Sequence, residues 1–302
     1  MLRIGILLGI AGLLGAPVAA QDLQKDAEVR LLSWNIQMLP FPASPHGKAK
    51  RARAIARILQ EQDYDVVVFQ EAFKRRSRRI LRRELQEVLP HQTTVLNKKA
   101  ISIKVNGGVM IFSRHPIDSV HQIRFTKRRG FDKYARKGAM LAEINVRGRK
   151  IQVLGTHLQA FGTDDILISQ YHQMRRELLD RHARPGVPQF LLGDFNTRKV
   201  PPVSASLSSD TPVPQTRYGA MLETLDAVDG DLAGDQQYTM DRPYNDLCER
   251  RKEARLLLDY VLVRPAELNY SIRREVKIFR RQWNKDHQDL SDHFALEALI
   301  TF

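Results

Sequence analysis

The spacing of apolar and polar positions divides the chain into short segments with two different periods. Val29 to Trp34 is an apolar run of the length of a buried strand, and it stops at Asn35. After the proline-rich turn Pro40 to Pro45, Ile55, Ile58 and Leu59 fall on one face of a predicted helix, with Lys48, Lys50, Arg51, Arg53 and Arg57 around the rest. Asp65 to Phe69, with three consecutive valines, reads as a second buried strand that runs into Glu71. Gly108 to Ser113 is a third, stopped by His115-Pro116. Met140 to Val146 and Lys150 to Leu154 predict a hairpin turning at Arg147-Gly148-Arg149. Thr163 and Asp164 are set to cap a long helix with the stripe Leu167, Tyr171, Met174, Leu178. Gln189 to Leu192 is another buried strand, which delivers Asp194 and Asn196, and Leu256 to Val263 and Phe294 to Ile300 are the last strands. Val200 to Gln215, rich in proline and serine, is a loop candidate. Several strands with little regular strand-helix alternation imply two packed sheets with helices outside, in one domain.

Composition narrows the class. The 302 residues are 43% hydrophobic, ample for a core. Residues 1–20 have the form of a cleaved signal peptide: Arg3, then the apolar stretch Ile4 to Leu14, then Val18-Ala19-Ala20 before Gln21. The apolar stretch is short for a membrane anchor, the alternative reading. An exported chain with one cysteine, Cys248, folds without an internal disulfide, and one thiol cannot build a zinc–thiolate cluster. The formal charge of +14 attracts polyanions, whether nucleic acid or acidic lipid. Lys74 to Arg83 is the densest charge run. Leu81, Leu85 and Val88 keep helical spacing with it, so a solvated helix face is expected, with a nucleic-acid site as the alternative.

Asn35, Glu71, His157, Asp194, Asn196, Asp292 and His293 each stand at or just past an apolar run. Asn and Asp favour turns on local grounds alone. Together, however, the seven make an oxygen-rich set with imidazoles, which suits a hard divalent cation and phosphate chemistry.

SWNIQ, FQEAF, GTHLQA, GDFNTRK, LDYVLV and LSDHF, in this order, resemble the endonuclease/exonuclease/phosphatase superfamily of metal-dependent phosphodiesterases and phosphatases. GGVMIFSRHPI, RKGAMLAEI and GTHLQA are similar to the neutral sphingomyelinases within it. The resemblance implies a four-layer α/β/β/α sandwich of two mixed sheets, the deoxyribonuclease-like α+β fold, as one catalytic domain over residues 21–302. It implies Mg²⁺, with Mn²⁺ or Co²⁺ as substitutes, held by Glu71 and Asn35. Asp194 and Asn196 would orient the attacking water or hold a second ion. His293 would be the general base, oriented by Asp259, with His157 on the phosphoryl oxygens and Asp292 beside them. Lys137 is open between a phosphate contact and a surface lysine.

The implied reaction is hydrolysis of sphingomyelin, or a related choline phospholipid at a membrane surface, to ceramide and phosphocholine. The enzyme would be a secreted or periplasmic monomer in peripheral contact with lipid. Bacterial members of the family carry an aromatic-tipped hairpin where this chain has the polar stretch Ile278 to Asp292, with Trp283 either buried or docking on a headgroup layer. Two alternatives remain: an exported nuclease, and an inactive polyanion-binding module.

Overall fold

A strand buried on both faces needs apolar side chains at odd and even positions, because successive residues point to opposite sides of the sheet. The computed structural model describes residues 28–40, 47–99, 104–160, 163–199, 216–248, 254–264 and 269–302. The expected signal peptide, nearly all of the proline-rich turn and all of the Val200–Gln215 loop lie outside them.

The strands in chain order begin with β1 (Glu28–Asn35), β2 (Val66–Gln70), β3 (His91–Gln92), β4 (Met110–Ser113) and β5 (Ile117–Arg124). They continue with β6 (Gly138–Val146), β7 (Arg149–His157), β8 (Gln189–Asp194), β9 (Leu232–Ala233) and β10 (Met240–Asp241). The last four are β11 (Arg255–Leu256), β12 (Asp259–Arg264), β13 (Ser271–Lys277) and β14 (Ala295–Thr301). The helices are α1 (Lys48–Gln60), α2 (Arg75–Glu84), α3 (Asp164–Met174), which continues as a π turn over Arg175–Leu179, and α4 (Arg217–Leu225).

One sheet runs β3-β4-β2-β1-β14-β13-β9 and the other β12-β8-β7-β6-β5, each with parallel and antiparallel pairs. Alternate residues of each strand serve different cores. Leu31, Val66, Val68, Leu296 and Ala298 of the first sheet meet Met140, Ala142, Val153, Leu192 and Val261 of the second. Leu32, Trp34, Val67 and Phe69 face the other way, under Ile55 and Leu59 of α1 and Ile80 and Leu81 of α2. Leu141, Leu154, Leu191 and Leu262 lie under Leu167, Tyr171 and Met174 of α3 and Leu225 of α4. The layers are helix, sheet, sheet, helix, as the resemblance implied. No described helix is long and apolar enough to cross a bilayer.

Several elements differ from expectation for local reasons. The Leu256–Val263 strand is two: β11 pairs with β10, whereas β12 pairs with β8. Between them the N–H groups of Leu258 and Asp259 both donate to the Thr239 hydroxyl, which ends one ladder before the next begins. Strand β5 escaped the hydrophobic pattern because it sits at an edge and puts Ser119 and His121 on its half-buried side and Val120 outside. β13 is a charged segment on which Arg274 is nevertheless buried, donating to the Val261 carbonyl. Thr163 begins α3 as expected, but its hydroxyl bonds the Asp165 carboxylate rather than a backbone N–H.

The largest correction concerns Arg51, which is not on a solvated helix face but fully buried. Its guanidinium donates to the carbonyls of Ile36, Gln37 and Leu290, joining α1 to the segments that follow β1 and precede β14.

Leu192→Ala would open a hole in the inter-sheet core and is expected to lower the unfolding free energy by about 2–5 kcal/mol. Urea denaturation measures this directly; a change below about 1 kcal/mol would contradict the packing described.

Candidate active site

Register decides which side chains share an edge. Asn35 at the end of β1 is level with Gln70 at the end of β2, which places Glu71 just beyond the sheet. In the other sheet Asp194, the last residue of β8, is level with His157, the last of β7, and with Asp259, the first of β12. His293 comes just before β14, the neighbour of β1. The strand-end residues singled out in the sequence thus gather at one edge of the paired sheets.

Asp194 is their hub. One carboxylate oxygen accepts from Asn35 Nδ2 at 3.0 Å and lies 3.5 Å from His157 Nε2 and 4.0 Å from His293 Nε2. The other accepts from the backbone N–H of Asn196 at 3.0 Å. Gly193 is required beside it: a Cβ there would lie 2.2 Å from the Thr156 carbonyl oxygen. Asp259 Oδ2 is 2.7 Å from His293 Nδ1, which leaves the opposite ring nitrogen facing Asp194. Glu71 and Asp292 are half-buried beside this network and act on it by charge. Glu71 and Asn196 hold left-handed backbone, φ 55° and 48°, an uncommon conformation for glutamate and one found at functional sites.

Lys137 is 3% exposed, so it is not a surface lysine. Its ammonium sits 3.1 Å from His157 Nε2, donates to the Leu158 carbonyl and pairs with Asp132 at 3.1 Å. The neighbouring glycine explains the approach, since a Cβ on Gly138 would meet the Ile123 carbonyl oxygen at 1.9 Å. Trp283 packs at the margin of the core under α1, its indole N–H donating to the Asp289 carbonyl. Cys248 lies by the backbone of Asp292, and burial followed by the Asp292 charge pushes its thiol up to about 12, consistent with an inert side chain.

Several supporting residues had no sequence signal. Arg51 holds the Leu290 carbonyl, Asn245 the Ser291 carbonyl and the Trp34 indole the His293 carbonyl, while the Ser291 hydroxyl donates to the Asn35 carbonyl. The LSDHF segment is therefore fixed at four points. A polar side chain that bonds only to backbone leaves no pattern by which to find it.

The electrostatics are those of a crowded anionic edge. Burial, then the Asp292 carboxylate, pushes Glu71 up to about 8, against the opposing effects of Lys137 and His293. Burial, then Asp259, pushes Asp194 up to about 6. Burial would lower His293, but Asp259, Asp194 and Asp292 outweigh it and hold the imidazole well above its usual value. Burial, then Lys137 and His293, keeps His157 well below.

Asp194, Asp259 and His293 offer ligand atoms within 4.8 Å of one another. Asp259 Oδ2 is already engaged by His293 Nδ1, while Asp259 Oδ1 is buried without a hydrogen-bond partner. Carboxylates forced to hold protons near neutrality fit a divalent cation, which removes their mutual repulsion.

Residues 32–293 match the model of the Endonuclease/Exonuclease/phosphatase family, and the chain belongs to that family. It is 27% identical over 336 residues to a sphingomyelinase C of Bacillus cereus, covering 100% of this chain and 97% of that protein. It is 26% identical over 304 residues to sphingomyelinase C 2 of Leptospira interrogans, covering 91% of this chain and 46% of the longer relative, so it spans about half of that protein's length. A crystal structure of a Staphylococcus aureus beta toxin mutant with bound magnesium ions superposes with a TM-score of 0.78 at 23% identity, over 90% of this chain and 99% of that one.

Glu71, protonated more readily in the fold than its ordinary value of 4.5 allows, makes the cation-free protein lose stability as pH rises from about 4.5 to about 8. A divalent cation binds the ionised form, so its stabilising effect grows over the same window. Thermal denaturation with chelator and with Mg²⁺ across that window reads both trends. Glu71→Gln is expected to flatten them, and a Mg²⁺ effect that declines with pH would contradict the assignment.

Proposed function

We propose that this chain is an exported, Mg²⁺-dependent phosphodiesterase that hydrolyses sphingomyelin, or a related choline phospholipid, to a lipid alcohol and phosphocholine. Residues 1–20 act as a signal peptide, and residues 21–302 form one catalytic domain that works as a monomer. The observation that carries the reading is the Asp194 hub, which sets an imidazole paired with a carboxylate 4.0 Å away on one side and a second imidazole 3.5 Å away on the other, with Glu71 alongside. Sphingomyelinase C relatives in two organisms support the choice of lipid within the family.

Glu71 and Asn35 would hold the cation, a carboxylate being the strongest hard-cation ligand at this edge. Bound there, the cation supplies positive charge to the phosphoryl oxygens and offsets the anionic field that keeps His293 protonated. Asp194 and Asn196 orient the attacking water. His293 takes the proton of that water at Nε2, while Asp259 fixes the ring by holding Nδ1–H. His157 contacts the phosphoryl oxygens, and the Lys137 ammonium that donates to its Nε2 opposes the charge that grows on phosphorus-bound oxygen as the P–O bond to the leaving group breaks. Asp292 lies beside His293 and adds to the field that raises it. Water attacks phosphorus in line as the P–O bond to the lipid breaks, the departing alkoxide takes a proton from solvent to become the alcohol, His293 returns its proton to solvent, and no bond to the protein forms.

The mature protein with Mg²⁺ is expected to release phosphocholine from sphingomyelin micelles and to stop when the metal is chelated. Nicking of plasmid DNA with lipid untouched would assign a nuclease, and tight heparin binding without turnover a binding module. His293→Ala and Glu71→Ala should each lower kcat by at least about 100-fold with unchanged circular dichroism. Full activity in either variant would mean that the site is misplaced.

A further inference from the structure

The stretch Ile278 to Asp292 supplies no aromatic pair, but a different segment does. Phe131 is 93% and Tyr134 69% exposed, both on the single 3₁₀ turn Gly130–Tyr134. Residues three apart on such a turn eclipse one another, so the two rings share a face. Large apolar side chains this exposed and this close together mark an interaction surface.

The turn is tied to the rim of the active site. Asp132, between the rings, accepts from the Ala160 N–H at 2.9 Å and from Lys137 at 3.1 Å, and Lys137 is the lysine that reaches His157. The Arg129 N–H donates to Gln159 Oε1, and Gln159 Nε2 returns a bond to the Arg129 carbonyl. The Tyr134 carbonyl accepts from Val105, and the Arg136 N–H donates to Val105. The rings are therefore presented by a braced platform joined through Asp132 and Lys137 to the active edge.

Lys127, Arg129 and Lys133 flank the two rings along the chain and are exposed. Across Val105, a cavity of about 560 Å³ between α2 and residues 95–99 and 104–106 carries Arg75, Arg79, Lys98 and Lys99 on its walls. A second copy of a chain with charge +14 would be repelled by this surface. A nucleic-acid strand stacks its bases on rings that line a groove, whereas Phe131, at the border of a hollow of about 290 Å³, and Tyr134 both stand largely free in solvent. A bilayer with acidic headgroups accommodates both features: rings enter the interfacial zone while cations meet lipid phosphates.

We propose that the turn Gly130–Tyr134 is a membrane-docking foot that inserts Phe131 and Tyr134 into the interface of a bilayer containing acidic phospholipid and so seats the active edge on its lipid substrate. The proposal rests on the phospholipid reading of the site, and its test separates the two.

Sedimentation of the mature protein with vesicles of equimolar phosphatidylcholine and phosphatidylglycerol measures docking without turnover. Phe131→Ala with Tyr134→Ala is expected to weaken binding by about tenfold or more. Phe131→Trp with Tyr134→Trp should retain binding and show a blue shift of tryptophan emission on adding vesicles. Lys127→Glu, Arg129→Glu and Lys133→Glu together should abolish the preference over pure phosphatidylcholine. Hydrolysis of the soluble phosphodiester bis(p-nitrophenyl) phosphate should be unchanged in the double alanine variant, and its absence in the wild type would sink the catalytic reading while leaving docking measurable. Unchanged vesicle binding by the double alanine variant would overturn the foot. So would a loss confined to DNA binding or to self-association.

Discussion

Everything at the active edge depends on the dry contact between the two sheets. Leu31, Val68 and Leu296 on one side and Met140, Leu192 and Val261 on the other exclude water from the interface and hold each strand in register. Because a one-residue slip would turn every inward side chain outward, the register is tightly specified. That constraint puts Asp194 level with both His157 and Asp259 and sets Glu71 one residue past the end of β2. The chemistry is a consequence of where the strands end.

A cost accompanies this arrangement. Packing apolar layers up to the edge removes water from carboxylates that lie close together, and the fold answers with raised pKa values at Glu71 and Asp194. It answers also with backbone bonds that fix the LSDHF segment in place, and with the buried cations Arg51 and Lys137 brought near the anions. A dication held at this edge would offset the repulsion among these carboxylates.

The core was legible in the sequence wherever strands are buried on both faces. Leu31-Leu32, Val66 to Phe69 and Leu191-Leu192 carry uninterrupted apolar runs, and their ends carry the polar residues that gather at one edge. Legibility failed at the edge strand β5 and at β13, next to the short edge strand β9. In β5 the half-buried side holds Ser119 and His121, and in β13 most positions are charged, so neither shows the expected alternation. It failed also for Arg51, whose neighbours in sequence are solvated cations while its own partners are carbonyls up to 239 residues away. The position of Lys137 was half legible, because a lysine before a glycine marks a strand start without revealing that its ammonium is buried against His157 and Asp132. The exposed pair Phe131 and Tyr134 left no periodic signal, since a one-turn 3₁₀ helix is too short to have one.

The central claim is that carboxylates at the ends of two sheets share one divalent cation beside the His293–Asp259 pair. Anomalous diffraction from crystals of the mature protein soaked in Mn²⁺ locates that cation directly. A peak in contact with the Glu71 carboxylate on the Asp194 side of the edge is the predicted result. A fully occupied Mn²⁺ elsewhere on the molecule, with this edge empty, would contradict the account.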